Sequence, residues 1–270
     1  MCSKDIFDRF LKVYGISQLP ETKEYMIVMQ YANGGDLTTY LENKINLLTW
    51  KMKLNFLKGI AHCLVVIHDE GLIHCDLHGG NIVLSNDQDI AYICDLGLSK
   101  LATIPKPDLA IRGVLPFIAP EIFCTGEYTQ KSDVYAFGIL MCQLANGEPP
   151  FREKSDCGLI CEIIDGLRPP LPESTPDPFR GLAEKCCDGD HNKRPNAWGL
   201  YLQINDLLCE IENGKHDANA WDAIYYCENL KPLSRAEREG RYSSRLISNP
   251  MLNKRWIITS AERKEFILTC

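Results

Sequence analysis

Apolar residues come in short runs near the start of the chain and at helical intervals through its middle. "FLKVYGISQL" (10–19) and "YMIVMQYA" (25–32) are separated by the polar "PETKE" and predict two paired strands. In "NGGDLTTYLENK" the glycines break the strand, and Asp36 is placed to cap a short helix. Residues 49–70 put Leu57, Ile60, Leu64 and Ile67 on one face, which predicts a core-facing helix ending near Gly71. "NIVL" and "IAYIC" flank a polar turn at 85–89 and predict an antiparallel pair. Residues 95–120 read as loop, with prolines at 105, 107, 116 and 120. Residues 132–147 are apolar on nearly every side, with Ser132 as expected N-cap and Gly147 just past the end. A helix of that kind belongs in the middle of a domain. Further helices are expected near 156–165, 177–187 and 196–212. Beyond Gly214 the period fades, and 215–270 reads as a loosely structured tail, partly helical near "ANAWDAIYYCENL".

Composition narrows the function classes. Of 270 residues, 45% are hydrophobic and 24% charged, which suits one large domain or two unequal ones. Acidic residues outnumber basic ones, 36 to 29, for a net charge of −7, and no dense Lys/Arg run stands out. Nucleic acid is therefore not an expected partner. Thirteen cysteines include no CxxC; Cys157 and Cys161 are four apart and Cys186–Cys187 is a doublet, so a structural zinc site is not favoured. "MCSKDIFDRF" is charged where a signal peptide would be apolar. Reduced thiols in a cytoplasmic protein are expected, many buried as small hydrophobes. No apolar run is long enough for a membrane span.

The chemistry concentrates in "HCDLHGGNIV" (74–83). Asn81 sits just before one predicted strand and Asp95 just after its partner, so an antiparallel hairpin brings both to one end. An amide oxygen and a carboxylate converging there form a set that magnesium favours, water and phosphate completing the shell. Asp76 lies on the loop entering the same hairpin, where a carboxylate can accept a proton from an attacking hydroxyl. Gly79 and Gly80 keep that loop free of bulk. The same residues also suit an ordinary polar turn. Zinc held by His74, Cys75 and His78 is a weaker alternative, because one loop supplies too few spaced ligands.

The order of motifs shifts the balance. "HCDLHGGN" resembles the catalytic loop HRDLxxxN of eukaryotic protein kinases, "DLG" (95–97) their DFG, and "APE" (119–121) the motif closing the activation segment. "SDVYAFG" (132–138) resembles the start of their large central helix, and "KRP" (193–195) resembles the segment whose arginine in those kinases pairs with the APE glutamate. The likeness covers about 10–212 and is similar to the tyrosine-kinase-like branch of the Ser/Thr kinases. It implies an α+β fold: a mainly helical C-lobe with a partial β N-lobe. Residues 1–32 would be an N-lobe remnant with the hinge, 33–214 the C-lobe and 215–270 a tail. It implies ATP and Mg²⁺ as cofactors, Asp76 as catalytic base, His78 near the γ-phosphate, and Asn81 and Asp95 as metal ligands. Met29 would be the gatekeeper, the backbone of Gln30, Tyr31 and Ala32 would bind adenine, Val83 would floor its pocket, and Asp36 would reach the ribose. Val13, His74 and Leu96 would stack as an apolar spine anchored by Asp133, and Glu121 would pair with Arg194. The implied activity is transfer of the ATP γ-phosphate to a protein Ser/Thr hydroxyl, with Tyr the lesser option.

Several positions depart from the family pattern. No GxGxxG or VAIK precedes residue 10, and Lys4 is the one lysine upstream. An N-terminally truncated domain is therefore expected, either a pseudokinase serving as a binding or scaffold module or a chain whose true start lies further upstream. Cys75 replaces the usual arginine, so phosphorylation of Ser99 or Thr103 is not expected to act through that position. His78 stands where a lysine is common, and Val114 and Phe117 replace a threonine and a tyrosine. A bare edge on the 10–32 hairpin implies either poor solubility or a partner covering it.

Overall fold

The structure, a computed structural model, describes residues 10–85, 90–102, 111–152, 154, 156–215, 221, 233–234 and 236–247. Strands β1 (Val13–Gln18) and β2 (Tyr25–Met29) form the expected antiparallel hairpin, with Ile16 opposite Ile27 and an irregularity between Val13 and Gly15. Both strands are exposed along their whole length.

Helix α1 (Leu37–Lys44) begins where Asp36 accepts a hydrogen bond from the Thr39 N–H at 3.0 Å. Helix α2 (Trp50–Asp69) begins where the Thr49 hydroxyl accepts from the Met52 N–H at 3.2 Å. Side-chain oxygens at both N-caps satisfy amides the helices leave unpaired. Leu57, Ile60, Leu64 and Ile67 of α2 are buried, as their spacing predicted. Gly71, at φ 69°, then reverses the chain into β3 (Leu72–Ile73).

Strands β4 (Ile82–Ser85) and β5 (Ile90–Ile93) pair antiparallel, with Ile82 opposite Ile93. Helix α2 lies directly on β5: a Cβ at Gly59 would sit 2.6 Å from the Ala91 carbonyl oxygen. Strand β6 (Lys100–Leu101) pairs with β3. The stretch read as loop also holds β7 (Arg112–Gly113), a 3₁₀ turn at Leu115–Phe117, and α3 (Pro120–Thr125), which Gly126 ends at φ 73°. Pro120 hid that helix, yet proline is well suited to a first helical turn.

Helix α4 (Gln130–Asn146) is buried along almost every face and forms the centre of the body. Its N-cap is Thr129 rather than the expected Ser132; Ser132 is the reciprocal partner of a capping box. Helices α5 (Asp156–Ile164), α6 (Asp177–Cys186) and α7 (Ala197–Glu212) complete the body, with α6 against α4 and α7 against α2. The architecture is α+β and mainly helical, and among the described residues the strands form small two-stranded pieces.

Within the stretch read as a tail, β8 (Arg245–Leu246) pairs antiparallel with β7. Arg238 pairs with Glu42, Arg152 with Glu237 at 3.1 Å, and Arg241 and Arg245 both with Asp156. Residues 237–247 are thus held on the body by charge pairs, a feature that hydrophobic periodicity does not report. The "ANAWDAIYYCENL" segment lies outside the described residues except for Trp221, which is buried.

Candidate active site

Asp133, in the first turn of α4, organises the catalytic-loop candidate. One of its carboxylate oxygens accepts from the His74 N–H at 2.8 Å and the other from the Cys75 N–H at 3.0 Å. The first oxygen also lies 2.8 Å from Nε2 of His68, on the last turn of α2. A buried carboxylate satisfied this way fixes the loop backbone strongly, because each amide would otherwise be left dry. Cys75 sits at φ 69°, a left-handed conformation costly for a non-glycine residue. Asp133 holds it there.

His74 is fully buried. Its Nδ1 accepts from the Asp76 N–H at 3.2 Å, so its Nε2 carries the proton facing the Cys94 carbonyl at 3.3 Å. Burial lowers its pKa and favours this neutral ring, although nearby carboxylates oppose the shift. Cys75 is pushed up to about 12 by burial and by the charge of Asp133, so it is a thiol.

Asp76 is 6% exposed. Its Oδ2 accepts from Asn81 Nδ2 at 3.2 Å and lies 3.6 Å from His78 Nε2. Its Oδ1 is buried without a hydrogen-bond partner. Burial acts to raise its pKa; His78 and the nearby Ser244 hydroxyl act the other way, and the net shift is downward. The group is therefore a carboxylate at neutral pH, with one oxygen uncommitted.

Asn81 also donates to the Asp76 carbonyl at 2.9 Å. Both contacts engage its amide nitrogen and leave its side-chain oxygen free to face elsewhere. The Cys94 N–H donates to the Asn81 carbonyl at 2.9 Å, closing the mouth of the β4–β5 hairpin one residue before Asp95. The hairpin thus brings Asn81 and Asp95 to the same end, as their positions predicted. Asp95 is exposed at φ 61°, and one of its oxygens accepts from the Gly97 N–H at 3.0 Å. A Cβ at Gly79 would meet Thr38 Oγ1 at 2.5 Å and Gln143 Oε1 at 2.7 Å, so the loop passes flush against α1 and α4.

Asp36 bridges to Val83, and Gly34 and Gly35 exchange backbone hydrogen bonds with Leu84. The segment after the hairpin is thereby joined to β4. Met29 and Tyr31 are exposed, and the Gln30 N–H donates to the Lys12 carbonyl at 2.7 Å. Arg194 makes two parallel hydrogen bonds to Glu121, as expected.

The expected apolar spine does not form. His74 is buried, but Leu96 is 46% exposed and Val13 62%. Leu96 follows Asp95, whose left-handed backbone turns the chain outward, and Val13 lies on the open hairpin. Sequence reasoning missed His68, the Thr38–Gln143 pair behind Gly79, and Ser244. No periodicity or spacing marks a lone histidine in a helix end or a serine in a charged segment. Thr103 lies outside the described residues.

The sequence matches the protein tyrosine and serine/threonine kinase family over residues 4–204. It is similar to serine/threonine-protein kinase VIK of Arabidopsis thaliana, 34% identical over 74% of this chain and 48% of that protein. It is also similar to serine/threonine-protein kinase Nek8 of Danio rerio, 31% identical over 70% of this chain and 26% of that protein. Ephrin type-A receptor 5 of Rattus norvegicus is 31% identical over 74% of this chain and 20% of its own length. The chain spans less than half the length of these curated relatives.

Proposed function

Because the chain belongs to the protein tyrosine and serine/threonine kinase family, we propose that it transfers the γ-phosphate of ATP to Ser or Thr hydroxyls of a protein acceptor. The observation that carries this reading is the state of Asp76: buried, ionised, steered by Asn81 through Oδ2, with Oδ1 uncommitted. A carboxylate so placed can orient an acceptor hydroxyl and take its proton. His78, 3.6 Å from the same carboxylate, would lie beside the transferring group.

The donor set fits magnesium. Asn81 offers an oxygen because its nitrogen is committed to Asp76, and Asp95 offers an exposed carboxylate at the same hairpin end. Hard oxygen ligands of this kind suit Mg²⁺, which would neutralise phosphate charge when bound. Asp36 and Val83, joined across the bridge, would face the nucleoside, with Met29 and the backbone of Gln30, Tyr31 and Ala32 along its adenine edge. Leu96 would remain a contact of the metal-binding turn rather than a spine residue.

Two surroundings complete the reading. The apolar hairpin, with Ile16 74% and Ile27 66% exposed, supports a face covered by further protein. A cytoplasmic setting is supported by the use of Cys63, Cys142 and Cys186 as buried apolar packing. Among the described residues, no helix is long and apolar enough to cross a membrane.

The test is a thermal-shift titration with ATP and Mg²⁺, paired with phosphate transfer to a generic protein acceptor. A shift abolished by Asp95→Ala, with transfer abolished by Asp76→Asn, is expected. No shift at millimolar ATP would replace this reading with that of a binding module.

A further inference from the structure

Strand β8 runs antiparallel along β7, with Arg245 opposite Gly113 and Leu246 opposite Arg112, and the Ile247 N–H donates to the Ile111 carbonyl at 2.7 Å. Strand β7 passes directly against the catalytic-loop candidate: a Cβ at Gly113 would lie 3.5 Å from Asp76 Oδ1. Continuing the ladder by one residue sets Ser244 across from Val114, which lines one small cavity with Asp76, Gly113 and Phe117. The Ser244 hydroxyl approaches the Asp76 carboxylate closely enough to lower its pKa, without closing a hydrogen bond to Oδ1.

The flanking residues are anchored on both sides. Arg241 donates to the carbonyls of Phe151 and Arg152 at 2.7 and 2.9 Å and pairs with Asp156 at 3.4 Å. Arg245 pairs with the same Asp156 from the other side of Ser244. Tyr242 donates to the Pro150 carbonyl at 3.3 Å, and Ile247 is buried. Ser243 is turned away, its hydroxyl donating to the Glu239 carbonyl at 2.5 Å. Residues 244–247 thus run alongside β7, a helical turn (Glu237–Arg241) leads into them, charged anchors fix their register, and the Ser244 hydroxyl is brought next to the Asp76 carboxylate. Strand addition of this kind is a general mode of peptide recognition.

We propose that residues 241–247 are a tethered acceptor peptide and that Ser244 is a site the chain phosphorylates on itself. The inference rests on the kinase reading above. Ser244 Oγ forms a bond to the γ-phosphorus of ATP while the bond from that phosphorus to the β,γ-bridging oxygen breaks. ADP leaves with the electron pair, and the hydroxyl proton passes to Asp76. The same anchors define the class of acceptor the groove takes from outside: a Ser peptide with arginine three residues before the serine and another directly after it, both read by Asp156.

Two measurements on the full chain test this. Without nucleotide, amide hydrogen exchange at 245–247 should be slow, and an Arg241→Glu/Arg245→Glu variant that still melts cooperatively should lose that protection. Equal exchange in both proteins would overturn the docked segment, whether or not the chain turns over. With ATP and Mg²⁺, phosphate should appear on Ser244 and not Ser243, at a rate unchanged on dilution, as an intramolecular step requires. Transfer to a generic protein acceptor with Ser244 unmodified would overturn the self-acceptor role and leave the kinase reading standing. No transfer to either would overturn the kinase reading and the self-acceptor role together, and the exchange data would still decide the docking.

Discussion

Glu121 on α3 and Arg194 before α7 meet through two parallel hydrogen bonds of 2.7 and 2.8 Å, although 73 residues separate them in sequence. The arginine side chain is completely buried and its guanidinium lies 5.1 Å from the ring centre of Tyr135. Removing the carboxylate would leave that charge dry, because its remaining partners are the carbonyls of Lys131 and Asp188. Glu121→Ala should therefore cost about 3–5 kcal/mol. Urea denaturation checks this; a loss under about 1 kcal/mol, the scale of an exposed pair, would show the bridge to be well solvated.

Asp133 should matter more for the site than for any one helix. Its two oxygens satisfy two backbone amides and face His68. In Asp133→Asn one oxygen becomes an NH₂, so one of the two amides loses its acceptor and meets a donor. A destabilisation of about 1–3 kcal/mol is expected from the unsatisfied group. Phosphate transfer should fall further than occupancy of the folded state explains, because Cys75 would relax from φ 69° and carry Asp76 with it. Transfer unchanged in folded protein would remove Asp133 from the positioning of Asp76.

These two anchors show how much was legible beforehand. Glu121, Arg194 and Asp133 stood at motif positions, and the helices followed the apolar periodicity closely, since 3.6-residue spacing reports directly which face is buried. The Asn81–Asp95 convergence followed from hairpin geometry. What escaped depends on contacts between distant segments. His68 is one of six histidines and only the fold sets it beside Asp133. Leu96 had the right polarity for a spine, but the backbone at Asp95 sends it outward. The docked segment 237–247 is charged and aperiodic, and its attachment through Asp156, Glu42 and Arg152 appears only once those partners are in place.

Cys75 should be chemically quiet. Burial and the neighbouring Asp133 push its pKa up to about 12, so at pH 8 about one ten-thousandth of it is thiolate. Cys209 is exposed to solvent. Iodoacetamide labelling of the native chain, read by mass spectrometry, should modify Cys209 well before Cys75. Comparable rates at the two positions would mean that the loop opens on the labelling timescale.

Gly79 should tolerate no side chain. A methyl group there meets Gln143 Oε1 and Thr38 Oγ1, the latter already accepting a 3.1 Å hydrogen bond from Gln143 Nε2. Gly79→Ala should cost about 1–3 kcal/mol by overpacking. Adding Thr38→Ala removes the nearer obstacle, so the double variant should recover part of the loss. Strict additivity of the two changes would show that the clash is relieved by movement elsewhere.

His74 should set a pH dependence of stability. Its pKa in the fold lies below 6.5, chiefly through burial, while the unfolded chain keeps the ordinary value. Above pH 6.5 the ring is neutral in both states and contributes no slope. As pH falls below 6.5 the unfolded state takes up a proton that the folded state resists, so stability declines. The decline reaches at most about 1.4 kcal/mol per pH unit for one group, until the folded ring titrates as well. Asp76 works in a separate, lower window. Its pKa is depressed from 3.8, so its stabilisation is present above that value and lost as pH falls through the folded pKa. Urea melts between pH 5 and 7 should thus show a falling limb that His74→Phe flattens, whatever that variant does to absolute stability. A limb of the same slope in the variant would assign the dependence to another group and imply that His74 protonates readily in place. Its Nδ1 would then have to give up the Asp76 amide, 3.2 Å away, and the catalytic-loop candidate would loosen at the same pH.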